Sequence, residues 1–310
     1  MREPLIPAPA LVPAAALAWW VIGYLAWLID GLGSSINGVQ ISSIATDSVT
    51  IPLLLTELPH LVLGGFVGGI CAGLLTIVGD GRPVTNLAAS FAGVACAVLL
   101  TGIQSTSTLR DVAARGYDDG DSFGQALIAI TAVATLLGWL LGVGGSFDRA
   151  PLGVALAGLA GASPFWLGMV TFAIDPSWNA DFLTPLIRYA SAALLTVGLA
   201  TIGIDSYKRL LAWPVAVALA WLVIPAYSVV GLLASYARWP GELPDVLRRY
   251  WDIVELSVPP ENYPVDTWLP FVIAIVLAIA ISIRLGARRA AELDAHSPVD
   301  PSNNSRTTSM

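Results

Sequence analysis

Residues 58–79 read LPHLVLGGFVGGICAGLLTIVG and contain no Asp, Glu, Lys or Arg. Twenty-two residues without a formal charge rise about 33 Å as a helix, enough to cross the roughly 30 Å hydrocarbon core of a bilayer. Seven more largely apolar runs, with at most two charged residues each, lie at 9–30, 84–104, 123–143, 150–174, 184–205, 210–235 and 265–286. The sequence therefore predicts an all-α polytopic integral membrane protein, a bundle of eight transmembrane helices over 1–289. A polar Ser/Asn/Thr-rich tail over 290–310 reads as disordered and cytoplasmic.

Composition supports this class. Of 310 residues, 56% are hydrophobic and 12% charged, against about 25% charged in ordinary soluble domains. A soluble enzyme of this size would lack the polar residues to cover its surface. Fifteen basic against twenty-two acidic residues leave no basic field for nucleic acid. The partner implied throughout is the lipid bilayer. One lysine, Lys208, against fourteen arginines, within an Ala/Val/Leu/Gly bulk, points to a GC-rich bacterial source and so to a bacterial plasma membrane.

Two boundaries stay open. The first run follows Met1-Arg2 like a signal peptide but passes Trp19, Trp20 and Trp27 without a small-residue cleavage site, so it reads as a retained helix. Residues 36–57 mix Ile and Leu with Asn37, Gln40, Asp47 and Glu57. They read as an interfacial or re-entrant segment, with a ninth span as the alternative.

Eight spans put both termini on one side, and arginine selects the cytoplasm. Short turns on that side carry Arg82, Arg149, Lys208 and Arg209, and Arg284, Arg288 and Arg289 cluster at the end of the last run. Three of these turns each place an Asp shortly before a base. Either a threefold duplication of helical hairpins or the ordinary placing of acid and base at headgroup level accounts for this.

Within lipid, helices associate through close backbone approach and polar contacts rather than through apolar surface. Gly64, Gly65, Gly68, Gly69 and Gly73 form overlapping small-xxx-small pairs in the second run. Gly138 and Gly142 do so in the fourth, and Gly153 and Gly161 lie in the fifth. These faces are expected inside the bundle, as helix-packing surfaces or as the walls of a substrate path. Pro13, Pro59, Pro164, Pro214, Pro225 and Pro270 are expected to kink their helices.

The chemistry of catalysis is missing from the sequence. No His-Glu-x-x-His or Gly-x-Ser-x-Gly occurs, and the two histidines are His60 and His296. Cys71 and Cys96 sit inside apolar runs and read as small core residues. No enzyme activity, cofactor or metal site is expected. The Asp-rich turn at 117–121 lacks the spacing of a calcium loop.

One constellation stands out. Glu57 and His60 lie at the mouth of the second run and Arg188 at the mouth of the sixth, at matched depth. Ionisable groups there normally face the bundle and pair. The expectation is a polar vestibule of Glu57, His60 and Arg188, with Glu57 and Arg188 coupled, or else a structural salt bridge. Loop 236–265 carries an amphipathic helical pattern, with Asp245/Arg249 and Arg248/Asp252 at i,i+4. It reads as a helix on the outer surface, capping a vestibule or docking other membrane proteins. Two functions remain: a transporter or permease for a small or lipid-like solute, and a non-catalytic membrane subunit or assembly factor of a cell-envelope complex.

Overall fold

The computed structural model describes residues 6–30, 51, 53, 57–113, 120–174, 183–236 and 243–296. These form an all-α bundle, and the only strand-like pairing among them is an isolated bridge between Ile6 and Gly79. Seven helical stretches are long and apolar enough to cross a membrane, and a shorter apolar helical stretch, Ala8–Ile22, precedes them. We label the helices α1 (Ala8–Leu17), α2 (Leu58–Leu74), α3 (Pro83–Ala113), α4 (Gly120–Gly144), α5 (Arg149–Ile174), α6 (Leu183–Ile202), α7 (Ala212–Tyr236), α8 (Leu243–Ser257) and α9 (Val265–His296).

The helices start where local chemistry tells them to. Prolines stand in the first turn of α1 and of α2, where the missing N–H costs nothing. A 3₁₀ turn, Leu75–Val78, ends the second span, and Asp80 then accepts from the Ala8 amide at 2.8 Å through Oδ1. This contact ties the start of α1 to the α2–α3 turn and defines the terminal end of the bundle. Beyond α1 the first span continues as a π-helical turn, Ala18–Ile22, and then helically to Asp30. Helix α9 runs on to His296, past the expected start of the tail at 290. The reason is local: Ala290, Ala291, Glu292 and Leu293 are strong helix formers.

The bundle has two cores. In the first half α1 packs on α3 and α2 on α4, around Trp19, Leu61, Val94, Leu127 and Trp139. In the second half α5 packs on α6 and α7, and α6 on α9, around Leu195, Leu199, Trp213, Ala220 and Phe271. The halves meet along a seam where Leu63 and Val67 of α2 face Ala162 of α5, with Phe165 and Tyr227 beside them. Hairpin neighbours such as α2 and α3 touch little, so the three turns join helices that pack elsewhere.

Backbone-to-backbone approach builds these contacts. A Cβ on Gly68 would lie 2.5 Å from the Trp19 carbonyl, and one on Gly73 2.5 Å from the Trp139 carbonyl. Gly64 faces Tyr24 and Gly23, and Gly65 and Gly69 face Thr135. In return Gly138 and Gly142 meet the carbonyls of Phe66 and Ile70, Gly153 meets Gly198, and Gly161 meets Ala220. All nine glycines singled out in the sequence thus abut a neighbouring helix.

Polar links lie between the packed faces. The Trp19 indole donates to Thr135 Oγ1 at 3.0 Å, and that of Trp139 to Ser90 Oγ at 3.1 Å. Ser90 in turn donates to the Ala72 carbonyl at 2.9 Å. The outward faces are bare hydrocarbon: Leu99, Leu100 and Ile103 of α3 and Val133, Leu137 and Leu140 of α4 are all more than half exposed, as a lipid solvent requires. Cys96 is also exposed, and Cys71 is half-buried. Cys96 is therefore not a core residue, since its side of α3 faces away from α1 and α2.

Candidate functional site

The ionisable groups at the end of the bundle opposite the termini, the far end, divide into two pairs. At the start of α2, His60 Nδ1–H donates to Glu57 Oε2 at 2.5 Å. The His60 ring lies 6.5 Å from that of Tyr227 on α7, which stacks on Phe165 of α5 at 4.2 Å. On the other side Arg188 of α6 pairs with Asp266 at the start of α9. The expected Glu57–Arg188 coupling is thus corrected: Glu57 pairs within its own helix start, and Arg188 pairs across α6 and α9. Both of these helices run from the far end to the terminal end, so residues a few positions into each stand level. That signal was present in the sequence, because Asp266 is the second residue of the last run.

The hydrogen bond to His60 holds the Glu57 carboxyl below its ordinary range, burial opposes this, and the imidazole's charge adds to the lowering. A depressed carboxylate contributes stability above its unfolded pKa and loses it as pH falls through the folded value. Glu57→Gln should therefore lower the melting temperature at neutral pH, and the gap to the wild type should close on acidification below about pH 4. The side chains of Glu57 and His60 are 29% and 41% exposed, so the effect stays within about 1 kcal/mol. A gap that persists unchanged in acid would show that the carboxylate is not the stabilising group.

A third element closes this end. The Trp221 indole of α7 donates to the Val258 carbonyl, just past α8, at 2.9 Å. The Tyr263 hydroxyl donates to the Ser257 carbonyl at 2.9 Å, and Ser228 Oγ donates to the Ile224 carbonyl of its own helix at 3.3 Å. Trp221 contacts Tyr263 at 5.2 Å and Phe271 at 5.8 Å between ring centroids. The amphipathic helix expected in loop 236–265 is α8, and its end is held against α7. Trp251 and Leu256 of α8 remain exposed.

The first half holds a small pocket near the far end, between the π-helical turn, α2, α3 and α4, with room for about one water molecule. Its walls are Trp19, Leu61, Val98 and Ile128, with Ile51 and Leu53 beside them and the hydroxyl residues Thr101, Ser105 and Thr131 among them. Thr131 is satisfied by the Leu127 carbonyl at 2.7 Å. Ser105 is 2% exposed and its Oγ has no hydrogen-bond partner. A buried unpaired hydroxyl costs about 1–3 kcal/mol. Sequence reading missed this pocket, because no charge and no motif marks it.

Among the described residues no group of three or more His, Cys, Asp or Glu is placed to hold a metal ion. Asp47, Asp175, the Asp-rich turn at 117–119 and most of segment 36–57 lie outside the described residues. No protein-family model, curated protein or solved structure matches the chain.

Proposed function

We propose that this multi-pass membrane protein is a permease for a lipid-like solute in a bacterial plasma membrane. In this reading both termini lie in the cytoplasm. The observation that carries this reading is the absence of charge inside the spans. Between the Glu57 and Arg188 level and the Asp80 and Asp205 level, no charged residue occurs in any span. Coupled ion transport depends on such groups near the midplane, whereas a lipid-like solute needs none.

One observation favours the alternative of a non-catalytic complex subunit. Helix α2 is unbroken, and the carbonyls of its neighbours fill its glycine face, leaving no flat path through the centre.

Vesicles reconstituted with the purified protein and an acyl-chain-labelled fluorescent phospholipid separate the two readings. Dithionite bleaches only the outer half of the label in protein-free vesicles. Bleaching of nearly all of it within minutes is the expected result with protein. Bleaching that stops at half for phosphatidylethanolamine, phosphatidylglycerol and phosphatidylcholine probes would overturn the permease reading. A stoichiometric membrane partner in mild detergent would then identify a subunit.

A further inference from the structure

The bases at the terminal end of the bundle gather on its second half. The Thr196 hydroxyl of α6 lies 3.4 Å from the Ala274 carbonyl oxygen of α9, so these two residues stand level. Both helices run toward the terminal end. Ten residues past Ala274, about 15 Å as helix, Arg284 comes level with the turn that follows α6. Ile202 ends that helix, Gly203 turns the chain with a φ of 73°, and Lys208 and Arg209 follow. A Cβ on Gly153 of α5 would lie 2.4 Å from the Gly198 carbonyl. Arg149, four residues nearer the terminal end than Gly153, therefore stands level with Ile202.

Arg288 lies one turn beyond Arg284, and Arg149, Lys208, Arg284 and Arg288 are all exposed. Among the described residues, Arg209 alone of these five bases meets a carboxylate, that of Asp205 at 3.5 Å. Asp148 Oδ1 accepts from the Arg149 backbone amide at 2.6 Å, at the start of α5. The next acids of α9, Glu292 and Asp294, stand four and six positions past Arg288, further from the hydrocarbon. The first half carries no such cluster. Among its described residues Arg82 is the one base at this end, and Asp80 stands two positions before it.

Exposed hydrocarbon borders these bases directly. Ile283 and Leu285 flank Arg284, and Leu210 and Leu211 follow Arg209, all of them exposed. Tyr207, beside Lys208, is 76% exposed, and such rings concentrate at membrane interfaces. Bases clustered between spans at headgroup level attract anionic lipids. Here a phosphate could meet the bases while acyl chains lie along the helices below. A soluble anion would gain the first contact and not the second.

We infer that the terminal end of α6, with the bases that flank it on α5, α9 and the α6–α7 turn, binds an anionic phospholipid of the surrounding bilayer. The phosphodiester meets Lys208, Arg209 and Arg284, and the acyl chains lie on the exposed faces of α7 and α9. The inference does not rest on the permease reading, and it holds whichever side of the membrane this end occupies.

The probes are phosphatidylglycerol, phosphatidylcholine and inorganic phosphate, each added to purified full-length protein in a neutral mild detergent. Native mass spectrometry counts bound lipid, and thermal shift follows stability. Phosphatidylglycerol should bind saturably and raise the melting temperature, and the other two should do neither. Its affinity should fall several-fold between about 0.1 and about 0.5 M sodium chloride, because exposed charges are screened. Lys208→Gln combined with Arg284→Gln should weaken phosphatidylglycerol at least tenfold, each base near an anionic headgroup being worth roughly fivefold. Arg82→Gln, in the first half, should leave that affinity unchanged. Equal binding of the two lipids, an affinity indifferent to salt, or a double variant that binds like the wild type overturns the proposal. So does a loss in Arg82→Gln equal to that in the double variant. Stabilisation by inorganic phosphate equal to that by phosphatidylglycerol would overturn it by assigning the cluster to a soluble anion. If the double variant does not fold, the lipid preference and salt dependence of the wild type decide.

Discussion

Gly69→Val should leave almost no monodisperse protein in detergent. A Cβ at position 69 falls on the Thr135 carbonyl and lies 2.9 Å from the Trp139 amide nitrogen. Both are backbone atoms inside α4, so no side-chain rotation relieves the clash. Overpacking a core usually costs about 1–3 kcal/mol, because flexible neighbours yield. Here two whole helices must separate, and Gly138 and Gly142 of α4, which press back on α2, lose their contacts with them. The loss should exceed that range and appear as aggregation on size exclusion. Gly286→Val is the control, since nothing lies within 4 Å of that position. A normal Gly69→Val profile would mean that α2 and α4 are not in close contact.

Trp19→Ala should be the next most damaging change. The side chain is 1% exposed, and its indole donates to Thr135. Removing a buried aromatic side chain costs about 3–5 kcal/mol. In Trp19→Phe most of the packing survives, and the residual loss, about 1–3 kcal/mol, reports the unpaired Thr135 hydroxyl. Melting temperatures of the two variants in one detergent should fall in that order. Equal losses would assign the whole effect to the hydrogen bond and none to packing.

The spans were legible in the sequence because hydrocarbon imposes one requirement on every residue of a crossing segment. The glycine faces were legible for a related reason: a run such as Gly64-Gly65 with Gly68-Gly69 signals close approach. It does not say to which helix. Gly68 answers to Trp19 and Gly69 to Thr135, on different helices, and hydropathy carries no information about that choice. Arg188 shows the same limit, since depth matches several partners and lateral packing selects Asp266. Ser105 was invisible for another reason. A serine near a helix end is ordinary until its surroundings show that nothing answers its hydroxyl.

The π-helical turn at Ala18–Ile22 has a consequence for synthesis. The Ile22 carbonyl receives its hydrogen bond from the Trp166 indole at 2.8 Å, across 144 residues of chain. At translation rates of about 5–20 residues per second, that partner emerges roughly 7–30 s later. Until α5 arrives, the first span lacks this tie to the rest of the chain.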